Sequence, residues 1–144
     1  VNSGNEIKLS KLGRELMELE VVIQPNNAQK YGVKVNVSED GTEETIIYYD
    51  DLDKKLKFDT RKSGLKFGRK IIEEAPFELK PDEPLVLRIF IDRSIIEVFA
   101  NDRQAIARRI YPTLGGQGIK IFTEGGNIDV SSIKSWEMMP SNPY

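Results

Sequence analysis

Cysteine and histidine are both missing from this 144-residue sequence. Without cysteine there is no disulfide framework, no thiolate metal site and no thiol nucleophile. Without histidine there is no Ser-His-Asp triad, no imidazole base and no His-ligated metal. Long apolar runs are missing as well. Nothing approaches the roughly 20 apolar residues of a membrane span, and the first residues do not resemble a signal peptide. Charge of one sign is lacking too: 21 Lys and Arg mix with 23 Asp and Glu, a net charge of -2. That mixture forms no basic stripe of the kind a nucleic-acid binder carries. No nucleic acid, no membrane and no cofactor are expected as partners.

What is present has a hydrophobic period close to two. Met17, Leu19, Val21 and Ile23 alternate with Glu18, Glu20 and Gln24, as on a half-buried strand. Tyr31, Val33, Val35 and Val37 do the same, and Glu39–Gly41 then reads as a hairpin turn, with Gly supplying the positive φ. Strands are expected at Glu44–Tyr49, Leu56–Phe58, around Phe77 and Leu79, at Ile119–Thr123, at Ile128–Val130 and at Ile133–Met138. Glu124-Gly125-Gly126-Asn127 is a turn, and Gly115–Gly118 a flexible hairpin loop with no helix after it to bind phosphate. Ser10–Glu20 is the one stretch with a helical alternative, weakened by Gly13. Many short strands between Gly, Pro, Asn and Asp turns point to an all-β sandwich or barrel.

One domain spanning 1–144 is expected at this length, with roughly two-thirds of its unfolded surface buried. The chain opens on Val1 rather than Met, as a processed chain would, or a piece cut from a longer protein.

The least ordinary stretch is LRIFIDRSIIEVFANDRQAI, Leu87 to Ile106. Two polar groups, Asp92-Arg93-Ser94 and Asn101-Asp102-Arg103, break an otherwise apolar run. They read as turns of a three-stranded meander: Leu85–Ile91, Ser94–Ala100 and Gln104–Tyr111. Asp and Ser bond turn backbone, and Asn and Asp tolerate left-handed geometry. Asp92 and Glu97 invite an acid/base reading, but their spacing does not support it. Glu97 is expected to face Arg88 or Arg108 across the meander, a pair worth a few tenths of a kcal/mol to ~1. Asp50, Asp51 and Asp53 could offer oxygens to Ca²⁺, yet they lack the glycine and terminal Glu of an EF-hand loop, and a solvated turn is the better reading. Trp136 could stack on a sugar, although a lone Trp on a terminal alternating strand is more often core. Tyr31, Tyr48, Tyr49 and Tyr111 divide the same way. No catalytic and no metal residues are assigned.

The segment LRIFIDRSIIEVFAND resembles the signature of the C-terminal β-sandwich module of glycoside hydrolase family 32, the invertases, levanases, inulinases and related β-fructosidases. Tyr31-Gly32-Val33, the strand from Glu44-Thr45 to Tyr49-Asp50, Phe58–Gly64 (FDTRKSG), Ala75-Pro76, Arg109-Ile110-Tyr111-Pro112 and Trp136-Glu137-Met138 agree in order, from about Glu15 to Met138. One departure is Asn101-Asp102-Arg103, where the family usually has Asn-Asp-Gly.

The resemblance implies a two-layer antiparallel β-sandwich of concanavalin/lectin-like jelly-roll type, appended to an N-terminal five-bladed propeller. The propeller does the chemistry, with a nucleophile and an acid/base carboxylate about 5 Å apart as retaining enzymes need. The family's WMNDPN-type segment, Glu-Cys pair and Arg-Asp-Pro motif do not occur here, so the chain by itself is expected to be non-catalytic. Its implied partners are that propeller, a fructan or sucrose-type carbohydrate, or a second copy of itself. Asp92, Arg93, Glu97, Tyr49 and Trp136 are the candidates for inter-domain or carbohydrate contact. A fructan-hydrolysing parent would be secreted or periplasmic, and a sucrose-phosphate hydrolase cytoplasmic.

Overall fold

A computed structural model describes residues 6–8, 16–62, 72–92, 95–109 and 118–137. Among them there is no helix, only eleven strands in two antiparallel sheets. The six-stranded sheet runs β1 (Glu6–Lys8), β10 (Gly118–Glu124), β3 (Lys30–Val37), β4 (Thr45–Asp50), β5 (Lys55–Asp59), β6 (Ile72–Pro76). The five-stranded sheet runs β11 (Ile128–Glu137), β2 (Leu16–Pro25), β7 (Leu85–Asp92), β8 (Ile95–Ala100), β9 (Gln104–Arg109). This is the two-layer antiparallel sandwich that the resemblance implied.

Period-two patterning sets which side of each strand meets the core. On β7, Leu85, Leu87, Ile89 and Ile91 are buried, while Arg88 and Asp92 are exposed. Met17, Leu19, Val21 and Ile23 of β2 and Ile96, Val98 and Ala100 of β8 join them from the same sheet. Tyr31, Val33 and Val35 of β3, Ile47 and Tyr49 of β4, and Leu56 and Phe58 of β5 come from the other. Each Val, Leu, Ile, Phe or Met among them contributes about 1.5–3 kcal/mol on burial. Gly32 is required where it stands. A Cβ there would run into the carbonyl oxygen of Ile47 and the Cα of Tyr48 on the neighbouring strand.

The turns follow the local chemistry. Gly41 has φ +75° and donates its N–H to the Ser38 carbonyl at 3.0 Å, closing the β3–β4 hairpin as Glu39–Gly41 suggested. Asn101 and Asp102 both have positive φ, +50° and +56°, and Arg103 N–H bonds the Ala100 carbonyl at 2.9 Å. Positive φ at both central residues makes this a type I′ turn, built without the family's glycine.

Several expectations are corrected. Leu16–Glu20, the described part of the helical alternative, is the start of β2. The last two predicted strands form one, β11, with a register shift between Val130 and Ser132 where a bulge carries the strand on. Phe77 and Leu79 are buried but lie after β6 rather than in it. The sequence IEEAP of β6 alternates too weakly to announce a strand, and β1 is described over Glu6–Lys8 alone. The meander's third strand is described over Gln104–Arg109, and Ile110 lies outside the described residues. Arg93, Ser94, Tyr111 and residues 115–117 lie outside the described residues.

Candidate functional site

Three of the five predicted contact residues share the outer face of the five-stranded sheet. Cross-strand partners point to the same side, so register defines a row: Trp136 opposite Glu18, Glu18 opposite Phe90, Phe90 opposite Glu97. Trp136 and Glu97 are thus three strands apart in one line, roughly 14 Å at the usual strand spacing. Asp92 faces the same way at the end of β7, beside exposed Ile95. Phe90 and Phe99 stack edge to face between them, with centroids 5.8 Å apart. Trp136 is 46% exposed, so the core reading of this residue is overturned. The inner side of β11 is filled by smaller residues such as Ile128 and Val130, leaving the indole on the outside.

The predicted pairing of Glu97 with Arg88 or Arg108 does not form. Arg88 is opposite Phe99 and turns instead to β2, 3.4 Å from Glu18 and 3.7 Å from Glu20. Arg108 is opposite Ile96, on the other face of the sheet from Glu97. Its Nη1 lies 3.2 Å from Glu73 Oε2, an ion pair without hydrogen-bond alignment.

Tyr49 is no surface contact. It is fully buried, edge to face with Tyr31 and Phe77, and its hydroxyl accepts the N–H of Leu79 at 3.3 Å. Tyr48 is also buried, against Phe122 on the outer side of the six-stranded sheet. The Asp50–Asp53 acids are neutralised by lysines. Lys57 Nζ lies 3.0 Å from Asp50 and 2.5 Å from Asp53, and Lys54 Nζ lies 2.7 Å from Asp51. Asp50 Oδ1 also caps the turn, accepting from the N–H of Leu52 and of Asp53. Burial opposes charge on Lys57, but the bonds to Asp53 and Asp50 outweigh it and its pKa stands raised. Burial likewise pushes Asp50 up, and the Lys57 bond with the turn N–H groups outweighs that, holding it below the ordinary carboxylate value.

The feature that pattern reading did not assemble is at one end of the sandwich. The turns at 25–29, 51–54 and 78–82 enclose a pocket of about 470 Å³. That lies within the ~300–1,000 Å³ range of small-molecule sites. Tyr31 and Leu79 line its depth. A polar clamp beside it fixes the third turn. Arg103 donates from Nη1 to Glu83 Oε2 at 2.8 Å, and from Nη2 to Glu83 Oε1 at 3.1 Å and the Glu78 carbonyl at 3.0 Å. Its guanidinium sits 5.1 Å from the Phe77 ring centroid. Asn101 Oδ1 accepts the Val86 N–H at 2.7 Å, and its amide donates to Glu83 and to the Pro84 carbonyl. Arg103 beside Glu83, with the N–H of Lys80, holds this carboxyl down to about 2. The departure at Arg103 was legible; its partner 20 residues away was not.

Comparison with known proteins adds the rest. The family model described as "Glycosyl hydrolases family 32 C terminal" matches residues 2–137. The chain is 35% identical over 123 residues to the levanase of Bacillus subtilis, covering 79% of this chain and 17% of that protein. It is 29% identical over 134 residues to a sucrose-6-phosphate hydrolase of Zymomonas mobilis, covering 88% and 25%. Fructan 1-exohydrolase IIa of Cichorium intybus shares the fold, with a TM-score of 0.81 at 18% identity, covering 96% of this chain and 34% of that one. The chain spans about a quarter or less of the two relatives' length.

Proposed function

This chain belongs to the family of glycoside hydrolase family 32 C-terminal modules, and on that premise we propose that it is the non-catalytic, stabilising partner of a β-fructosidase propeller. The propeller would hydrolyse the fructosyl bond of sucrose or of a fructan. The module would hold that domain in shape and narrow access to its cleft.

The observation that carries this reading is the outer face of the five-stranded sheet. It gathers Trp136, Glu97 and Asp92, with Phe90, Phe99 and exposed Ile95, on one side of a layer whose other side is already packed. Aromatic groups are enriched where interfaces pack, with charged groups at the rim, and interfaces between domains of one chain are the more polar kind. Glu18, Glu20 and Arg88 on the same face add fixed charge that would set orientation. In the longer protein, Trp136→Ser is expected to lower the melting temperature of the propeller and leave the fold of this module intact, because the indole is half exposed. Deleting the module and finding the propeller's stability, assembly and activity unchanged would sink the proposal.

A second reading, that the module holds a fructan chain, is favoured by the pocket at the turn end.

A further inference from the structure

The Tyr31 side chain presents an unusual combination. Its residue is 1% exposed and the ring is locked edge to face against Tyr49, yet no hydrogen bond ends on its hydroxyl among the described residues. Nor is that oxygen among the buried polar atoms sealed without a partner. A phenol neither bonded nor sealed must spend its small exposure at the hydroxyl, and the pocket that Tyr31 lines is where it opens. Burial, with Tyr49 and Asp51 nearby, raises its pKa, so it stays protonated and can donate as well as accept. Open to the pocket and engaged by no group of the described chain, this hydroxyl is free to bond a ligand that enters.

The rest of the pocket indicates what that could be. Asp51 and Lys54 on one wall are already paired with each other. Glu78, Lys80 and Asp82 on the opposite wall offer two acceptor heads and one donor head. Acidic and basic side chains thus both line the pocket, with a small acidic excess. Exposed Leu52 supplies one apolar surface. An anion would meet that excess of carboxylates. A flat apolar ligand would leave the polar rim unpaired. A neutral ring with several hydroxyl groups and a hydrophobic C–H face matches all three features, since each hydroxyl can donate and accept at once.

We propose that this pocket is a binding site for a neutral sugar ring, with the Tyr31 hydroxyl as its deepest contact and Leu52 under the ring's apolar face. The inference rests on the second reading above and is independent of the stabilising role. It also places sugar contact at the opposite end of the sandwich from Asp92.

The test is an amide NMR titration of the 144-residue chain with fructose, sucrose, levan oligosaccharides and sucrose 6-phosphate, repeated with Tyr31→Phe and Leu52→Ala. Tyr31→Phe removes only a hydroxyl that no group in the described chain uses, so the fold is expected to persist. The result expected is saturable shifts confined to 25–31, 51–54 and 78–82 for the neutral sugars. Affinity should fall about tenfold in Tyr31→Phe, what one neutral hydrogen bond contributes, and the phosphorylated sugar should bind more weakly. Saturable binding that neither substitution alters would overturn the site while leaving fructan binding in place. No shift with any sugar at millimolar concentration would overturn both.

Discussion

Arg103 and Glu83 join two turns 20 residues apart through paired hydrogen bonds of 2.8 and 3.1 Å. The fork geometry matches guanidinium to carboxylate. It occurs at the position where this chain departs from its family's usual glycine. The departure leaves the type I′ turn intact, because positive φ is needed at Asn101 and Asp102 and not at Arg103. The arginine instead tethers the 78–83 loop, one wall of the pocket, to the meander.

That tether should be sensitive to acid. Glu83 has a folded pKa of about 2 against an ordinary 4.5. A depressed carboxyl contributes stability that is fully present above pH 4.5 and is lost as the pH falls through about 2. In Arg103→Ala the Glu83 pKa is expected to climb back towards 4.5. Carboxyl-carbon NMR titration of both proteins measures this directly; an unchanged Glu83 midpoint would show that Arg103 does not set it.

The two left-handed residues of the same turn should respond oppositely. Asn101 has positive φ and three side-chain hydrogen bonds, so Asn101→Ala is expected to cost roughly 2–4 kcal/mol. Asp102 is exposed and has the strained φ but no such bonds. Asp102→Gly should be neutral or stabilise by up to about 1 kcal/mol. Urea denaturation of the two variants separates the contributions of bonding and backbone strain.

Tyr31 and Tyr49 touch each other yet should separate cleanly. Tyr49→Phe strips the acceptor from the buried N–H of Leu79 and is expected to destabilise by roughly 1–2 kcal/mol. Tyr31→Phe strips nothing within the described chain and should stay within about 0.5 kcal/mol of the parent. Thermal melts decide between these outcomes. Equal losses would mean that the Tyr31 hydroxyl is engaged inside the fold.

Alternation placed β2 and β3, because a half-buried strand must show its inner face every second residue, while β7 and β8 were placed by the polar turns that bound them. The strand Leu85–Ile91 reads as apolar on both faces, and the structure buries only the face of Leu85, Leu87, Ile89 and Ile91, leaving Val86 and Phe90 half-buried. The turn at Asn101-Asp102 was equally legible, since few side chains besides these accept positive φ. Local chemistry of this kind needs no distant partner.

Partnership was a different matter. Trp136 and Tyr49 carried the same two readings, core or contact, yet one lies outside and the other inside, and Glu97 was matched to arginines that face other residues. Each depends on strand order and register, which bring β2 beside β7 and leave β11 at an edge. A side chain's burial on an edge strand follows from what the facing sheet covers, and a charge's partner from the row it occupies. The row from Trp136 to Glu97, the clamp from Arg103 to Glu83 and the pocket over Tyr31 all join segments far apart in the chain. No local pattern encodes such meetings, because they come from the pairing of two whole sheets.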